Sequence, residues 1–260
     1  MPDARRRAYL RAMGVDLWRV RTAAETASGP AASDAVAPDA GPDGPSAPVR
    51  AVPDPGRPSP AAVALDPGPA ALSWDALRGA VQACTLCGLH EARTQTVFGV
   101  GDPNARLMVI GEAPGADEDR AGEPFVGRAG QLLNAMLEAI GLAREQVYIA
   151  NIVKCRPPGN RDPHADEAAA CQPYLHRQIA LLAPEVILAV GRVSAHNLLG
   201  TEEAVGRLRG RTHRFDPGDI PLIVTYHPAY LLRRPQDKAK AWQDLQAVYR
   251  LLHAESPEAG

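Results

Sequence analysis

Residues 106–115 read Arg-Leu-Met-Val-Ile-Gly-Glu-Ala-Pro-Gly, and this stretch decides the fold class. The apolar run 106–110 is short and ends at a glycine, which predicts a buried β-strand followed by a turn. Polar residues come directly after it, so the strand opens into a loop that can carry functional groups. A buried strand of this kind is typical of a parallel sheet.

Strand-like and helical patterns alternate through the rest of the chain. Further strands are predicted at 147–153, 185–190 and 222–226. Helices are predicted at 74–83, 129–140, 166–182, 193–199 and 238–253. This alternation predicts an α/β fold with a four-stranded parallel sheet that is covered by helices on both faces. Binding groups in such folds collect where the strands end.

The composition changes sharply near residue 72, and this change predicts the domain organisation. Residues 23–71 are mostly Ala, Pro, Gly, Asp and Ser without an aromatic residue, which predicts a disordered linker. Residues 72–254 are predicted to form one globular domain, followed by a tail at 255–260. Residues 1–22 are predicted to be a short helical and hydrophobic docking segment.

The docking segment has two interpretations. Residues 5–21 include Tyr9, Leu10 and Trp18, which suit a peptide that binds a partner protein. The linker would then let the docked domain search a broad volume. A helix that packs on its own domain is the alternative, and the sequence leaves both open.

Charge and hydropathy exclude two classes of function. The net charge is −2, so affinity for nucleic acid must come from a local basic patch. No run of about 20 apolar residues occurs, which argues against a membrane-spanning helix. We therefore expect a soluble cytoplasmic protein with no membrane partner.

The four cysteines form one spaced set, Cys84, Cys87, Cys155 and Cys171. Four thiolates are a complete ligand set for structural zinc or for a 4Fe-4S cluster. Disulfides compete with this hypothesis, but residues 1–20 do not resemble a secretory signal. Unlinked core thiols are the other alternative. Spacing alone does not distinguish iron from zinc.

Polar and aromatic residues follow the predicted strands and are expected to meet at one rim. They are Glu112, Phe125, Asn151 and His227. An amide, an imidazole and an aromatic ring together suit the binding of a flat heterocycle. Each residue alone has a structural alternative, as a core residue or as a partner of the backbone. The glycine-rich residues 111–130 match neither common phosphate-binding motif.

An ordered series of motifs resembles the family 4 uracil-DNA glycosylases. The series comprises Cys84-Thr-Leu-Cys87-Gly-Leu-His90, Phe98-Gly99, Gly111-Glu-Ala-Pro-Gly115, Gly122-Glu-Pro-Phe-Val-Gly-Arg-Ala-Gly130, Asn151-Ile-Val-Lys-Cys155-Arg-Pro-Pro158 and His227-Pro-Ala-Tyr-Leu-Leu-Arg233. The resemblance implies the three-layer α/β/α fold of that superfamily and a 4Fe-4S cluster on the four cysteines. It also implies a DNA repair enzyme that flips uracil out of DNA and hydrolyses its N-glycosidic bond.

The resemblance assigns roles that the side chains can perform. Phe125 would stack on the flipped uracil, and Asn151 would accept from N3–H and donate to O4. His227 would donate to O2, while Glu112 would orient the attacking water. Ala113 would line the substrate pocket. Glu118 either faces the uracil edge that must reject a thymine methyl or belongs to a solvated acidic run.

Apolar and basic residues are predicted to contact DNA. Leu231 or Leu232 would enter the vacated base stack as a wedge. Cations for phosphate are expected at Lys154, Arg156, Arg209 and Arg233. An ordinary solvated surface is the alternative for the basic residues. The loop that ends at His164 lacks the Lys-Arg-Arg-Ile-His insertion of relatives that trap uracil covalently, so turnover is expected.

Two other functions stay open. An iron–sulfur protein for electron transfer or DNA binding would need the cysteines but not Asn151 and His227. A glycosylase of broader deaminated-base specificity would keep the same framework and differ only in its pocket contacts.

Overall fold

The computed structural model of the protein describes residues 68–254. The predictions for residues 1–22, for most of the linker and for the tail therefore lie outside the described residues. The strands are β1 (Val100–Gly101), β2 (Leu107–Gly111), β3 (Tyr148–Asn151), β4 (Val186–Val190), β5 (Thr212–Phe215) and β6 (Ile220–Thr225). The helices are α1 (Trp74–Gln82), α2 (Ala116–Ala121), α3 (Arg128–Ala139), α4 (Ala165–Leu182), α5 (Arg192–Leu199), α6 (Val205–Leu208), α7 (Pro228–Arg233) and α8 (Lys238–Leu252). Short 3-10 helices lie at Pro69–Ala71, Gly88–Glu91, Arg144–Gln146, Pro158–Asn160 and Pro235–Asp237.

The strands form one sheet in the order β1-β3-β2-β4-β6-β5. The four central strands are parallel, as predicted, because each is an apolar run joined to the next by a helical crossover. The prediction missed the two antiparallel edge strands. β1 has only two residues, and β5 is largely exposed and carries a polar sequence, so neither has the apolar run that marks a buried strand.

The core has two sides because side chains alternate along each strand. Met108 and Ile110 of β2 face one apolar cluster, which α1, α4 and α5 cover. Leu107 and Val109 face a second cluster under α3, α7 and α8. This arrangement confirms a three-layer α/β/α fold. None of the helices in residues 68–254 is long and apolar enough to cross a membrane.

The carboxyl ends of the four parallel strands meet at one edge of the sheet. β3 ends at Asn151, two residues before the predicted end, since the backbone changes partner there. The N–H groups of Ile152 and Val153 donate instead to the carbonyls of Gly111 and Glu112 in the loop after β2. These bonds join the loops that follow β2 and β3 and bring their side chains to one cleft.

Candidate active site

An open cleft of about 780 Å³ lies at the carboxyl edge of the sheet. Its walls come from the loops after β2, β3, β4 and β6, as expected for a parallel sheet. The predicted residues that line it are Glu112, Ala113, Glu118, Phe125, Asn151, His227 and Arg233. Residues that sequence reasoning did not assign also line it, among them Asp162, Arg192, Tyr226 and Tyr230.

Asn151 lies at the floor of the cleft with an unused acceptor. The residue is 2% exposed, and its Oδ1 atom has no hydrogen-bond partner. A Cβ atom at Gly111 would lie 2.4 Å from this oxygen, so only glycine leaves room for the amide. The Asn151 carbonyl accepts from the Lys154 ammonium at 2.8 Å, which fixes the backbone behind the amide. A buried acceptor without a partner is costly unless a ligand supplies the donor.

Phe125 is held in a strained loop conformation over the same floor. Its φ is +55°, a region that bulky residues rarely adopt. Arg144 donates to the carbonyls of Phe125 at 3.4 Å and Pro124 at 2.5 Å. A Cβ at Gly130 would lie 1.7 Å from the Phe125 carbonyl oxygen, so α3 can approach only through this glycine. The Phe125 and His227 ring centroids are 5.6 Å apart, with 30° between the planes.

Glu118 organises the loop that carries Phe125. Its carboxylate accepts from the backbone N–H groups of Gly115 at 3.0 Å, Val126 at 3.0 Å and Gly127 at 3.3 Å. The residue therefore does not belong to a freely solvated acidic run. Whether its side chain also faces the edge of a bound base stays a prediction.

His227 is a neutral hydrogen-bond donor at the wall of the cleft. It caps α7, and its Nδ1 atom accepts from the Ala229 N–H at 3.1 Å. Burial, helped by the positive charge of Arg233, lowers the pKa of His227 to about 4. With Nδ1 accepting, the single proton of the neutral ring lies on Nε2, which is free to donate.

Glu112 shares the cleft with a second carboxyl group that sequence reasoning missed. Burial, together with the nearby Asp162 carboxylate, raises the pKa of Glu112 to about 7, while the charge of Arg192 opposes the shift. Arg192 forms an ion pair with Asp162. The signal for Arg192 was present in the sequence, because the residue lies two positions after the end of β4. Asp162 gave no signal, since it lies in an irregular loop.

The four cysteines line one recess on the α4 side of the sheet, and none is in a disulfide. Two sulfurs already accept hydrogen bonds, Cys155 from Arg93 Nη1 at 3.1 Å and Cys171 from the Lys154 N–H at 3.3 Å. Burial raises the pKa of Cys171 to about 11, with nearby Lys154 opposing the shift. No group of three or more His, Cys, Asp or Glu side chains in residues 68–254 has the spacing of an assembled metal site. The convergence of four sulfurs and the N–H donors nonetheless fits an anionic metal–thiolate group.

Three of the residues predicted to contact DNA lie elsewhere. Lys154 is 1% exposed and points to the Asn151 carbonyl, so it cannot bind a phosphate. Arg209 is paired with Asp244 through two bonds of 3.0 Å, with only 11% of its side chain exposed. Leu231 is 1% exposed in the core, because helical spacing turns it away from solvent. These three predictions are wrong.

The other predicted DNA contacts lie in accessible positions. Leu232 is half-buried and Arg233 is exposed, both on α7 directly after His227. Arg156 is half-buried, and its Nε donates to Asn160 Oδ1 at 2.7 Å. These roles stay predictions.

The sequence of the folded domain matches a known superfamily. The sequence model of the uracil DNA glycosylase superfamily matches residues 98–246. The chain is 41% identical over 191 residues to the type-4 uracil-DNA glycosylase of Archaeoglobus fulgidus. The aligned region covers 71% of this chain and 96% of that relative. The type-4 uracil-DNA glycosylase of Pyrobaculum aerophilum is 43% identical over 175 residues, or 65% of this chain and 89% of the relative. The type-4 uracil-DNA glycosylase of Sulfurisphaera tokodaii is 40% identical over 186 residues, or 69% of this chain and 84% of that relative. The chain belongs to the type-4 uracil-DNA glycosylases.

Proposed function

We propose that the protein is a DNA repair glycosylase that flips uracil out of DNA and hydrolyses its N-glycosidic bond, leaving an abasic site. A base must leave the stack before its edge or its C1′–N1 bond can be reached. The cleft at the carboxyl edge of the sheet is the site that would receive it, and Phe125 supplies the aromatic face for stacking.

The unpartnered Oδ1 of Asn151 is the observation that carries the proposal. Uracil presents a donor at N3 and an acceptor at O4, so it would satisfy this oxygen and accept from the amide nitrogen. Cytosine presents the opposite pattern and would leave both groups unpaired. A site built to bond one pattern rejects the other because buried polar groups are then left unsatisfied.

Bond cleavage places negative charge on the uracil and positive charge on the sugar. The Nε2–H of neutral His227 is suited to donate to uracil O2 as the charge grows there. Glu112 in its carboxylate form would take a proton from water while the water oxygen attacks C1′ and the C1′–N1 electron pair leaves with uracil. No covalent bond between enzyme and base is required.

DNA would be held by residues on the same face of the molecule. Arg233 follows His227 by less than two turns of helix and is a candidate phosphate ligand, and Leu232 is the remaining candidate for the wedge. We place the enzyme with the nucleoid in the cytoplasm as a monomer. Docking of residues 5–21 on a repair or replication protein belongs to the same proposal.

The four cysteines would hold a 4Fe-4S cluster with a structural role. Cys84 and Cys87 after α1, Cys155 after β3 and Cys171 in α4 would hold such a cluster, and it would tie these segments together. Lys154 is placed between this site and the cleft, since its N–H bonds Cys171 and its ammonium bonds the Asn151 carbonyl. The cluster would thereby support the residue that reads uracil.

The test uses purified full-length protein and a 5′-labelled oligonucleotide with one uracil, single-stranded or paired with guanine or adenine, followed by alkali. Matched strands carry cytosine or thymine at the same position. We expect cleavage only at uracil, and a loss of at least tenfold in Asn151→Ala and His227→Ala.

Matched controls exist on other helices. Asn197→Ala removes an amide that bonds the Val193 carbonyl, and His253→Ala removes an exposed imidazole. Both should cleave as wild type does. An intact uracil strand with wild-type protein would reject the proposal and favour an iron–sulfur DNA-binding protein, while cleavage at other deaminated bases would show broader specificity.

A further inference from the structure

A chain of three charged groups crosses one wall of the cleft. Glu112 follows β2, Asp162 lies in the loop between β3 and α4, and Arg192 is the first residue of α5. Asp162 forms an ion pair with Arg192 and is near enough to Glu112 to raise the pKa of that carboxyl. Three separate segments thus bring charged side chains together at the point where the attacking water would be held.

The Glu112 carboxyl shares its wall of the cleft with an ion pair. Asp162 pairs with Arg192, and both side chains line the same cleft as Glu112. The ion pair therefore fixes where these two opposite charges stand relative to Glu112.

We propose that Asp162 is a positioning residue for Glu112 and that Arg192 anchors Asp162. The inference rests on the proposed function, because it takes Glu112 as the group that activates water. Asp162 holds the Glu112 carboxyl toward the cleft and sets how readily it gives up its proton. Arg192, by pairing with Asp162, draws the two loops together across the cleft.

The charge environment predicts shifts of opposite sign in two variants. Asp162 raises the pKa of Glu112 and Arg192 lowers it. The other charged or titratable side chains that line the cleft are Glu118, Tyr226, His227, Tyr230 and Arg233. His227 has a pKa of about 4, so its protonation lies below the range in which Glu112 titrates. A rate that needs the Glu112 carboxylate rises with pH through the Glu112 pKa.

The test is the pH profile of single-turnover uracil excision between pH 5 and 9 with saturating protein. In wild type we expect the rate to rise with pH, with a midpoint at about pH 7. Asp162→Asn should lower this midpoint by about one pH unit, and Arg192→Gln should raise it by a similar amount. Arg192→Lys should restore most of the wild-type midpoint. Glu112→Gln should abolish the rise.

A matched control is Asp219→Asn, which breaks an exposed pair with Arg214 of 3.2 Å in the β5–β6 turn. This variant should leave the midpoint of the rate profile unchanged. The inference would be overturned if Asp162→Asn and Arg192→Gln both kept the wild-type midpoint, or if both midpoints shifted in the same direction. Excision by the wild-type protein would still support the proposed function in either case. Absence of uracil excision by wild-type protein at every pH would instead overturn the proposed function. Should one variant fail to fold, the direction of the shift in the other decides the inference.

Discussion

The uracil cleft and the cysteine recess lie on either side of residues 151–155. Polar atoms in the cleft lack hydrogen-bond partners, whereas sulfur atoms in the recess have them. In the cleft, Asn151 Oδ1 has no partner and His227 keeps a free Nε2–H. In the recess, Cys155 and Cys171 already accept hydrogen bonds from Arg93 and from the backbone. The cleft leaves groups unsatisfied for a ligand that binds and dissociates, and the recess would surround the proposed cluster permanently.

This difference shows how stability and function are divided in the domain. An unpartnered buried acceptor and a strained Phe125 cost free energy, and the surrounding bonds from Arg144, Glu118 and Lys154 offset that cost. We expect mutations in the recess to act first on folding. Mutations in the cleft should act on excision with little effect on folding.

The largest expected effect is in the recess. Cys171→Ala should lose the iron of the proposed cluster and lower the free energy of unfolding by several kcal/mol, on the order of 5, because metal–thiolate bonds contribute directly to folding. Iron content, visible absorption and thermal unfolding measure it. Ser194→Ala removes a buried hydroxyl that bonds the Gly191 carbonyl, and should cost only about 1 kcal/mol. Full iron content in Cys171→Ala would contradict the assignment of this ligand.

The next effect is in the cleft. His227→Ala should reduce the single-turnover rate about 10²- to 10³-fold, the usual loss for one donor to a developing oxyanion, with little change in iron content. Rapid-quench excision measures the rate. A fall in iron content as large as in Cys171→Ala would remove the proposed division between the two regions.

Lys154 tests the connection between the regions. Lys154→Met keeps most of the buried volume but leaves the Asn151 carbonyl without its donor, so we expect excision to fall about tenfold and the unfolding free energy to fall by ~1–3 kcal/mol. Lys240→Met, on an exposed lysine paired with Asp237 at 2.8 Å, is the control. Wild-type excision by Lys154→Met would show that the two regions act independently.

The smallest effect is a pH dependence of stability that belongs to the cleft. Because the His227 pKa is lowered from 6.5 to about 4, the unfolded state binds a proton that the native state does not in this interval. Stability should therefore fall as the pH drops from about 6.5 towards 4, and less so in His227→Gln. Thermal unfolding at pH 7 and pH 5 gives the comparison. Equal losses in both proteins would assign the acid sensitivity to other groups.

Sequence reasoning succeeded where a local pattern has one structural outcome. The apolar runs identified the four central strands, and the motifs at their ends identified most of the cleft. It failed where a side chain has two possible directions. Lys154 and Arg209 were predicted to be surface cations, but each points inward to an acceptor. Leu231 was predicted as a candidate wedge, but it packs in the core while its neighbour Leu232 is half-buried.

By itself, the sequence determined the α/β class, the parallel centre of the sheet and part of the set of residues that face the cleft, because periodicity and strand ends are local properties. Only the tertiary structure decided that Asp162 meets Glu112, that Glu118 binds the loop of Phe125 and that Lys154 joins the cysteines to Asn151. Such contacts depend on distances between loops that are far apart in the chain. Those distances are set by how the layers pack, and no local pattern encodes them.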